Sequence, residues 1–318
     1  MIINILLLIL SLILLYFGAD FLVKGSSSMA VRFGIPPLIV GLTIVSLGTS
    51  SPELLVSIKS ALMGQPELAA GNVIGSNIFN IGAILGICSM IAPLTIKRSL
   101  IKQDIPFFLL AAVAVCVLFY NGKINRWEAS FFCAGAIFYT VLLIRNSRKA
   151  KQQLVASPKE DDSEIKVNKK WYVDLAFILI GLVLLIFGSN LLVDKATLIA
   201  RSFNVSEAII GLTIVAAGTG MPELATSVVA TIKGNKDIAI GNVIGSNIYN
   251  IFLVLGLTSM IKPINTNGID YVDTFTMLLL SVLLVPLMKS GYVLKRWEGL
   301  LLFSVYVVYL LYLLKVIG

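Results

Sequence analysis

Histidine is absent from this 318-residue chain. That removes the commonest transition-metal ligand and the usual proton carrier at neutral pH. Charge is also scarce, at 13% of residues, against about 25% in an ordinary soluble domain. The three cysteines, Cys88, Cys116 and Cys133, all lie in apolar stretches. They form neither a disulfide pattern nor a metal-ligand spacing. A basic leader with a small-residue cleavage site is missing too: the chain opens MIINILLLIL, so its first apolar run reads as a retained helix and not as a signal peptide. Only one long polar segment interrupts the chain, RNSRKAKQQLVASPKEDDSEIKVNKK. It is charged and poor in aromatics, as a flexible linker is.

What remains is apolar. Hydrophobic residues make up 58% of the chain and the mean hydropathy is +0.94. Runs such as 2–17, 107–119, 175–187 and 303–314, with their flanks, reach the roughly 20 residues that cross a bilayer. The expected fold is therefore an all-α polytopic membrane protein. Hydropathy places ten spans at 2–23, 37–62, 68–94, 105–120, 126–145, 171–193, 207–232, 238–262, 271–289 and 295–317. The net charge of +8 then reflects basic cytoplasmic loops and not nucleic-acid binding.

The chain repeats itself. GNVIGSNIFN at 71–80 returns as GNVIGSNIYN at 241–250, and 22 of the 40 positions in 41–80 are identical in 211–250. The same offset pairs Gly18 with Gly188, Phe33 with Phe203, and RWE at 126–128 with RWE at 296–298. The expected organisation is a first five-helix repeat at 1–145, a cytoplasmic linker at 146–170 and a second repeat at 171–318. A five-span unit starts and ends on opposite sides, so the second must enter the membrane inverted, an architecture of secondary transporters with a midplane site. With both termini outside, 18 of the 25 basic residues fall in inside loops, six fall outside and Lys59 lies within a span. That bias supports the orientation.

Spans 2 and 7 read GLTIVSLGTSSPELLVS and GLTIVAAGTGMPELATS. Pro52 and Pro222 each remove a helical hydrogen bond, freeing the carbonyl four residues back at Gly48 or Gly218. In a membrane, such a carbonyl must be satisfied by protein, water or an ion. Thr49 and Glu53 are four apart, and Ser46 and Ser50 share their face; the counterparts are Ala216, Thr219, Gly220 and Glu223. In spans 3 and 8, Asn72, Ser76 and Asn80, and likewise Asn242, Ser246 and Asn250, fall at i, i+4 and i+8. A carboxylate at membrane depth marks function, and two among Thr, Ser and Asn oxygens offer the all-oxygen site that Ca²⁺ and Na⁺ favour.

Blander roles fit other residues. Gly71/Gly75, Gly241/Gly245 and Gly82/Gly86 have the small-xxx-small spacing of close helix packing. Asn72 and Asn242 suit interhelical hydrogen bonding as well as cation binding. Lys59 suits snorkelling. Glu67 and Asp237 suit helix starts, and Asp20 suits a cap or a gate.

These motifs resemble those of the cation/calcium antiporter superfamily, specifically the sodium/calcium exchanger branch and its prokaryotic members, with a G-T-S-x-P-E motif followed by G-N-x-x-G-S-N-I in each α-repeat. The resemblance implies Ca²⁺/Na⁺ antiport by alternating access, with no covalent chemistry, no resident cofactor and the two ions as substrates. It implies Ca²⁺ coordination by Thr49, Glu53, Thr219 and Glu223. Ser50, Ser76 and Ser246, with the backbone carbonyls of Ser46 and Ala216, complete the implied Na⁺ sites. Asn80 and Asn250 stand at the centre, and spans 1 and 6 are the implied sliding pair. Gly220 departs from the motif's Ser, and Asn250 stands where several members carry Asp, which argues against K⁺ co-transport. H⁺-coupled antiport is the alternative. An intramembrane hydrolase is disfavoured because both acids share the same surroundings, whereas acid–base catalysis needs their pKa values separated. A passive channel is disfavoured by the inverted symmetry. A prokaryotic plasma membrane and function as a monomer complete the expectations.

Overall fold

The computed structural model describes residues 2–156, 170–203, 216–266 and 269–317. The helices are α1 (Ile2–Phe33), α2 (Pro37–Thr49), α3 (Ser51–Leu62), α4 (Glu67–Ile91), α5 (Leu100–Tyr120), α6 (Arg126–Ala156), α7 (Trp171–Ser202), α8 (Ala216–Thr219), α9 (Met221–Ile232), α10 (Lys236–Ile261), α11 (Tyr271–Lys289) and α12 (Arg296–Ile317). Among the described residues, eight are individually long and apolar enough to cross a membrane, or nine with α2 and α3 counted as one span bent by 41°. The chain is thus an all-helical membrane protein. The expected span at 207–232 is described only from Ala216, and residues 204–215 lie outside the described ones.

The layering follows from burial. In the most apolar windows of α4 and α10, 78% and 94% of residues are buried, against 22% in α1 and 28% in α7. The two helices carrying the repeated GNVIGSNI stretch therefore form the centre of the bundle. α1 and α7 lie together at its side, with many of their large apolar side chains exposed where lipid would cover them. They cross backbone to backbone: a Cβ on Gly181 would sit 2.7 Å from the carbonyl of Gly18, and one on Gly25 would sit 2.7 Å from that of Asp174.

Several elements run past their expected ends. α1 continues through Lys24 to Phe33 and α7 to Ser202. The Arg32 guanidinium pairs with the fully buried Asp174 at 2.8 Å, tying the adjacent ends of α1 and α7. α6 runs on to Ala156, so the first part of the expected linker continues a helix; 157–169 lie outside the described residues.

The helix ends are locally encoded. Gly64 and Gly234 take φ of +82° and +79° after α3 and α9. The following N–H groups, of Gln65 and Asn235, return to the carbonyls of Ser60 and Ala230 at 2.9 and 2.8 Å, the wide helix-ending bond that favours glycine. The repeated RWE is a capping device. Glu128 Oε2 accepts from the Asn125 N–H at 2.8 Å and Glu298 Oε2 from the Lys295 N–H at 2.7 Å, each satisfying a donor at a helix start.

Four two-residue strands join the loops. β1 (Leu94–Thr95) pairs antiparallel with β4 (Val293–Leu294), and β2 (Lys123–Ile124) with β3 (Ile264–Asn265). The loop after α4 is thereby bound to the loop before α12, and the loop before α6 to the loop after α10.

Candidate functional site

The site lies where two interrupted helices meet the central pair. Between α2 and α3 the chain turns at Ser50, φ −81° and ψ 6°; between α8 and α9 it turns at Gly220, φ −81° and ψ 2°. Each turn precedes a helix with Pro in its first turn and the acid next to it, Glu53 or Glu223. The fixed φ of proline suits a helix start, and its missing N–H leaves no donor unpaired there. The sequence predicts a freed carbonyl at Gly218, and the structure satisfies it with protein: the Ser189 hydroxyl of α7 donates to it at 2.6 Å.

Glu53 is 1% exposed and Glu223 fully buried, close enough for their charges to interact. The Ser50 hydroxyl donates to Glu223 Oε1 at 2.9 Å across the two halves of the chain. Among the described residues, Glu53 Oε2 and Glu223 Oε2 have no hydrogen-bond partner, nor do Asn80 Nδ2, Ser246 Oγ or either amide atom of Asn250. Buried polar atoms ordinarily find partners, so this concentration of orphans marks a place prepared for a ligand. Turning over either asparagine amide would present an oxygen instead of a nitrogen. Among the described residues no Lys or Arg is paired with either glutamate. The donor set is therefore two carboxylates plus neutral oxygens, which is hard-cation chemistry.

Asn72 and Asn242 brace this arrangement. Asn72 Nδ2 donates to Ser57 Oγ at 2.9 Å and to the Glu53 carbonyl at 3.2 Å, and its Oδ1 accepts from Thr219 at 3.5 Å. Asn242 Nδ2 donates to Ser227 Oγ at 2.9 Å and to the Glu223 carbonyl at 3.4 Å, and its Oδ1 accepts from Thr49 at 3.0 Å. Both amides are engaged by protein, which favours the interhelical role of the two readings the sequence leaves open. Ser57 and Ser227 complete these braces and were not singled out from sequence. Their signal was available: both lie four residues after the glutamate, at the repeat offset.

Of the remaining candidates, Ser46, Thr49, Ser50, Ser76, Asn80, Thr219, Ser246 and Asn250 are all buried. Ser46 lies against α10, its Oγ 2.6 Å from where a Cβ on Gly245 would stand. Ala216 opens α8. The close packing expected at Gly241, Gly245, Gly82 and Gly86 is present, with neighbouring atoms 2.6 to 3.0 Å from each hypothetical Cβ. Among the described residues it is not present at Gly71, with Ile269 at 3.7 Å, or at Gly75, with nothing within 4 Å. Lys59 is exposed. Asp237 pairs with Lys97 at 2.5 Å, and Asp20 pairs with Lys24 at 2.7 Å and also with Lys233.

Comparison with known proteins fits this geometry. The family model described as "Sodium/calcium exchanger protein" matches residues 3–145 and again 173–315. The chain belongs to the sodium/calcium exchanger family. It is 37% identical over 285 residues to the inner membrane protein YrbG of Escherichia coli, covering 89% of this chain and 87% of YrbG. It is 31% identical to the sodium/calcium exchanger MaX1 of Methanosarcina acetivorans, with 98% of each chain covered. A solved structure of the sodium-calcium exchanger NCX_Mj, soaked with 10 mM Na⁺ and 10 mM Sr²⁺, superposes with a TM-score of 0.83 at 31% identity, over 96% of this chain and 97% of that one. Members of this exchanger family are transporters and not enzymes. The chain is accordingly a cation/Ca²⁺ antiporter and a multi-pass protein of the prokaryotic plasma membrane.

Proposed function

We propose that this exchanger moves Ca²⁺ against Na⁺ by alternating access, through ten spans arranged as two inverted five-helix repeats with both termini outside. Ca²⁺ is held by Glu53 and Glu223 with oxygens of Thr49 and Thr219. Na⁺ uses the same carboxylates with Ser50, Ser76, Ser246, the carbonyls of Ser46 and Ala216, and the amides of Asn80 and Asn250. The observation that carries this reading is the buried pair of carboxylates with orphaned oxygens and no basic partner among the described residues. Two uncompensated carboxylates in a low-dielectric interior are strongly unfavourable, and bound cations remove that cost. Because Ca²⁺ and Na⁺ need the same two carboxylates, one displaces the other, and that competition is the basis of exchange. The names of MaX1 and NCX_Mj as sodium/calcium exchangers support Na⁺ as the counter-ion. α1 and α7, which pack on each other at the side of the central helices, suit a pair that slides to open each face.

Purified protein in liposomes tests the counter-ion. An outward Na⁺ gradient is expected to drive ⁴⁵Ca²⁺ uptake, and a matched Li⁺, K⁺ or H⁺ gradient is not. Uptake driven by H⁺ alone would replace Na⁺ in this reading, and uptake without any opposing gradient would indicate a channel.

A further inference from the structure

Asp20 and Lys233 join two helices from opposite halves of the chain. Asp20 lies past the middle of α1 and is 6% exposed. Lys233 follows directly on α9, which carries Glu223 in its first turn. The Asp20 carboxylate pairs with Lys233 through Oδ1 and with Lys24, one turn on in α1, through Oδ2 at 2.7 Å. α1 packs along α9 beside this bridge. Leu22 and Val23 of α1 share one buried apolar cluster with Val229 and Ala230 of α9. Both lysines fall on the side that the bias of basic residues assigns to the cytoplasm.

The other half of the chain does not repeat this closure. The repeat offset turns α1 on α9 into α7 on α3, and among the described residues α7 makes no comparable contact with α3. Val229 is 5% exposed, whereas its counterpart Lys59 is exposed. The counterparts of Asp20 and Lys233 are Asn190 and Met63, an amide and a thioether that cannot form an ion pair, and both are exposed. In an inverted repeat, the opposite working state exchanges the arrangements of the two halves. α1 then leaves α9, and α7 lies on α3. The Asp20–Lys233 pair must break in that exchange, and no ion pair at the matching positions replaces it. Both groups tolerate parting. Asp20 keeps Lys24, and Lys233, whose side chain is 29% exposed, stays at the C-terminal end of a helix, where positive charge is favoured.

We propose that the Asp20–Lys233 ion pair is a one-sided latch, which holds the cytoplasmic face closed and is released each time α1 moves off α9. This rests on the alternating-access reading above, and not on which cation exchanges for Ca²⁺. With a nearly buried carboxylate and a part-exposed ammonium, the pair lies between a surface ion pair and a buried one in strength. Breaking it is therefore expected to raise the cytoplasm-open population on the order of tenfold.

The test reads that population. Val229→Cys places a thiol under α1, where a charged, membrane-impermeant maleimide reaches it only when α1 lifts away. The purified full-length variant is labelled in saturating Ca²⁺, and modification at position 229 is followed by peptide mass spectrometry, so the native cysteines do not interfere. Adding Asp20→Asn or Lys233→Gln is expected to speed labelling on the order of tenfold. The swapped pair, Asp20→Lys with Lys233→Asp, is expected to return the rate towards its starting value. Labelling of Lys59→Cys, which is uncovered in this structure, is expected not to rise. Lys233→Gln alters only a part-exposed side chain and serves alone if Asp20→Asn does not fold. An unchanged rate at position 229, or a swapped pair that fails to slow it, would overturn the latch. A rise at both 229 and 59 would mean general loosening of the packing and would overturn it too. Complete protection of position 229 in a chain that still exchanges Ca²⁺ in liposomes would overturn the alternating-access reading itself.

Discussion

Asn242→Ala separates bracing from ion ligation at the candidate site. Asn242 is fully buried, and its amide makes three contacts, at 2.9 Å with Ser227, 3.0 Å with Thr49 and 3.4 Å with the Glu223 carbonyl. A buried neutral hydrogen bond contributes about 1 kcal/mol net. The longest of the three is marginal, so the bonds together are worth about 2 to 3 kcal/mol. Truncation also orphans the Thr49 and Ser227 hydroxyls and opens a small void, so a total loss of about 3 kcal/mol is expected. The assay pairs denaturation of the detergent-solubilised protein without Ca²⁺ with a Ca²⁺ titration of the folded variant. Bracing predicts a large loss of ion-free stability and less than about a tenfold loss of Ca²⁺ affinity, about 1.4 kcal/mol. Unchanged ion-free stability with affinity weakened by more than about 100-fold would refute this, and would make Asn242 a ligand. Asn72→Ala is expected to behave in the same way.

Other consequences concern the frame. Arg32→Gln leaves Asp174, 0% exposed, without the guanidinium that now pairs with it at 2.8 Å, and is expected to lower stability by about 3 kcal/mol, measured by thermal inactivation. Lys97→Gln breaks a pair whose side chains are 44% and 27% exposed, so its effect is expected to stay below about 1 kcal/mol. Ser189→Ala removes the hydroxyl donor to the Gly218 carbonyl and is expected to cost about 1 to 3 kcal/mol, by the same assay. Gly181→Leu would force a side chain into backbone atoms of α1 only 2.7 Å away, and is expected to yield little folded protein on size-exclusion chromatography.

Much of the site was legible because its signals were local and doubled. The Pro-Glu pairs, the GNVIGSNI stretches and the repeat offset place matched polar groups in both halves of an otherwise apolar bundle. The use of Asn72 and Asn242 was not legible, because an amide that braces two helices and one that binds an ion look alike until the partners are known. Helix ends were misread where polarity outweighed propensity. Ser26, Ser27 and Ser28 in α1 are all buried although they read as a loop after Lys24, because α7 packs alongside and fixes the helix. The continuation of α6 to Ala156 is rich in Arg, Lys, Ala, Gln and Leu, which favour helix whatever their polarity. The crowding at Gly220 lay furthest from view, since the ring atoms 2.7 and 2.8 Å from a hypothetical Cβ there belong to Phe79, far away in the chain.

The central claim is that Glu53 and Glu223 together hold the transported cation, and Ca²⁺ binding to Glu53→Gln and Glu223→Gln tests it most directly. Isothermal titration of the purified variants is expected to show Ca²⁺ affinity reduced by at least about 100-fold for each, as the loss of a buried carboxylate ligand implies, with Na⁺-driven ⁴⁵Ca²⁺ uptake abolished in liposomes. Wild-type affinity and uptake in either folded variant would contradict the account.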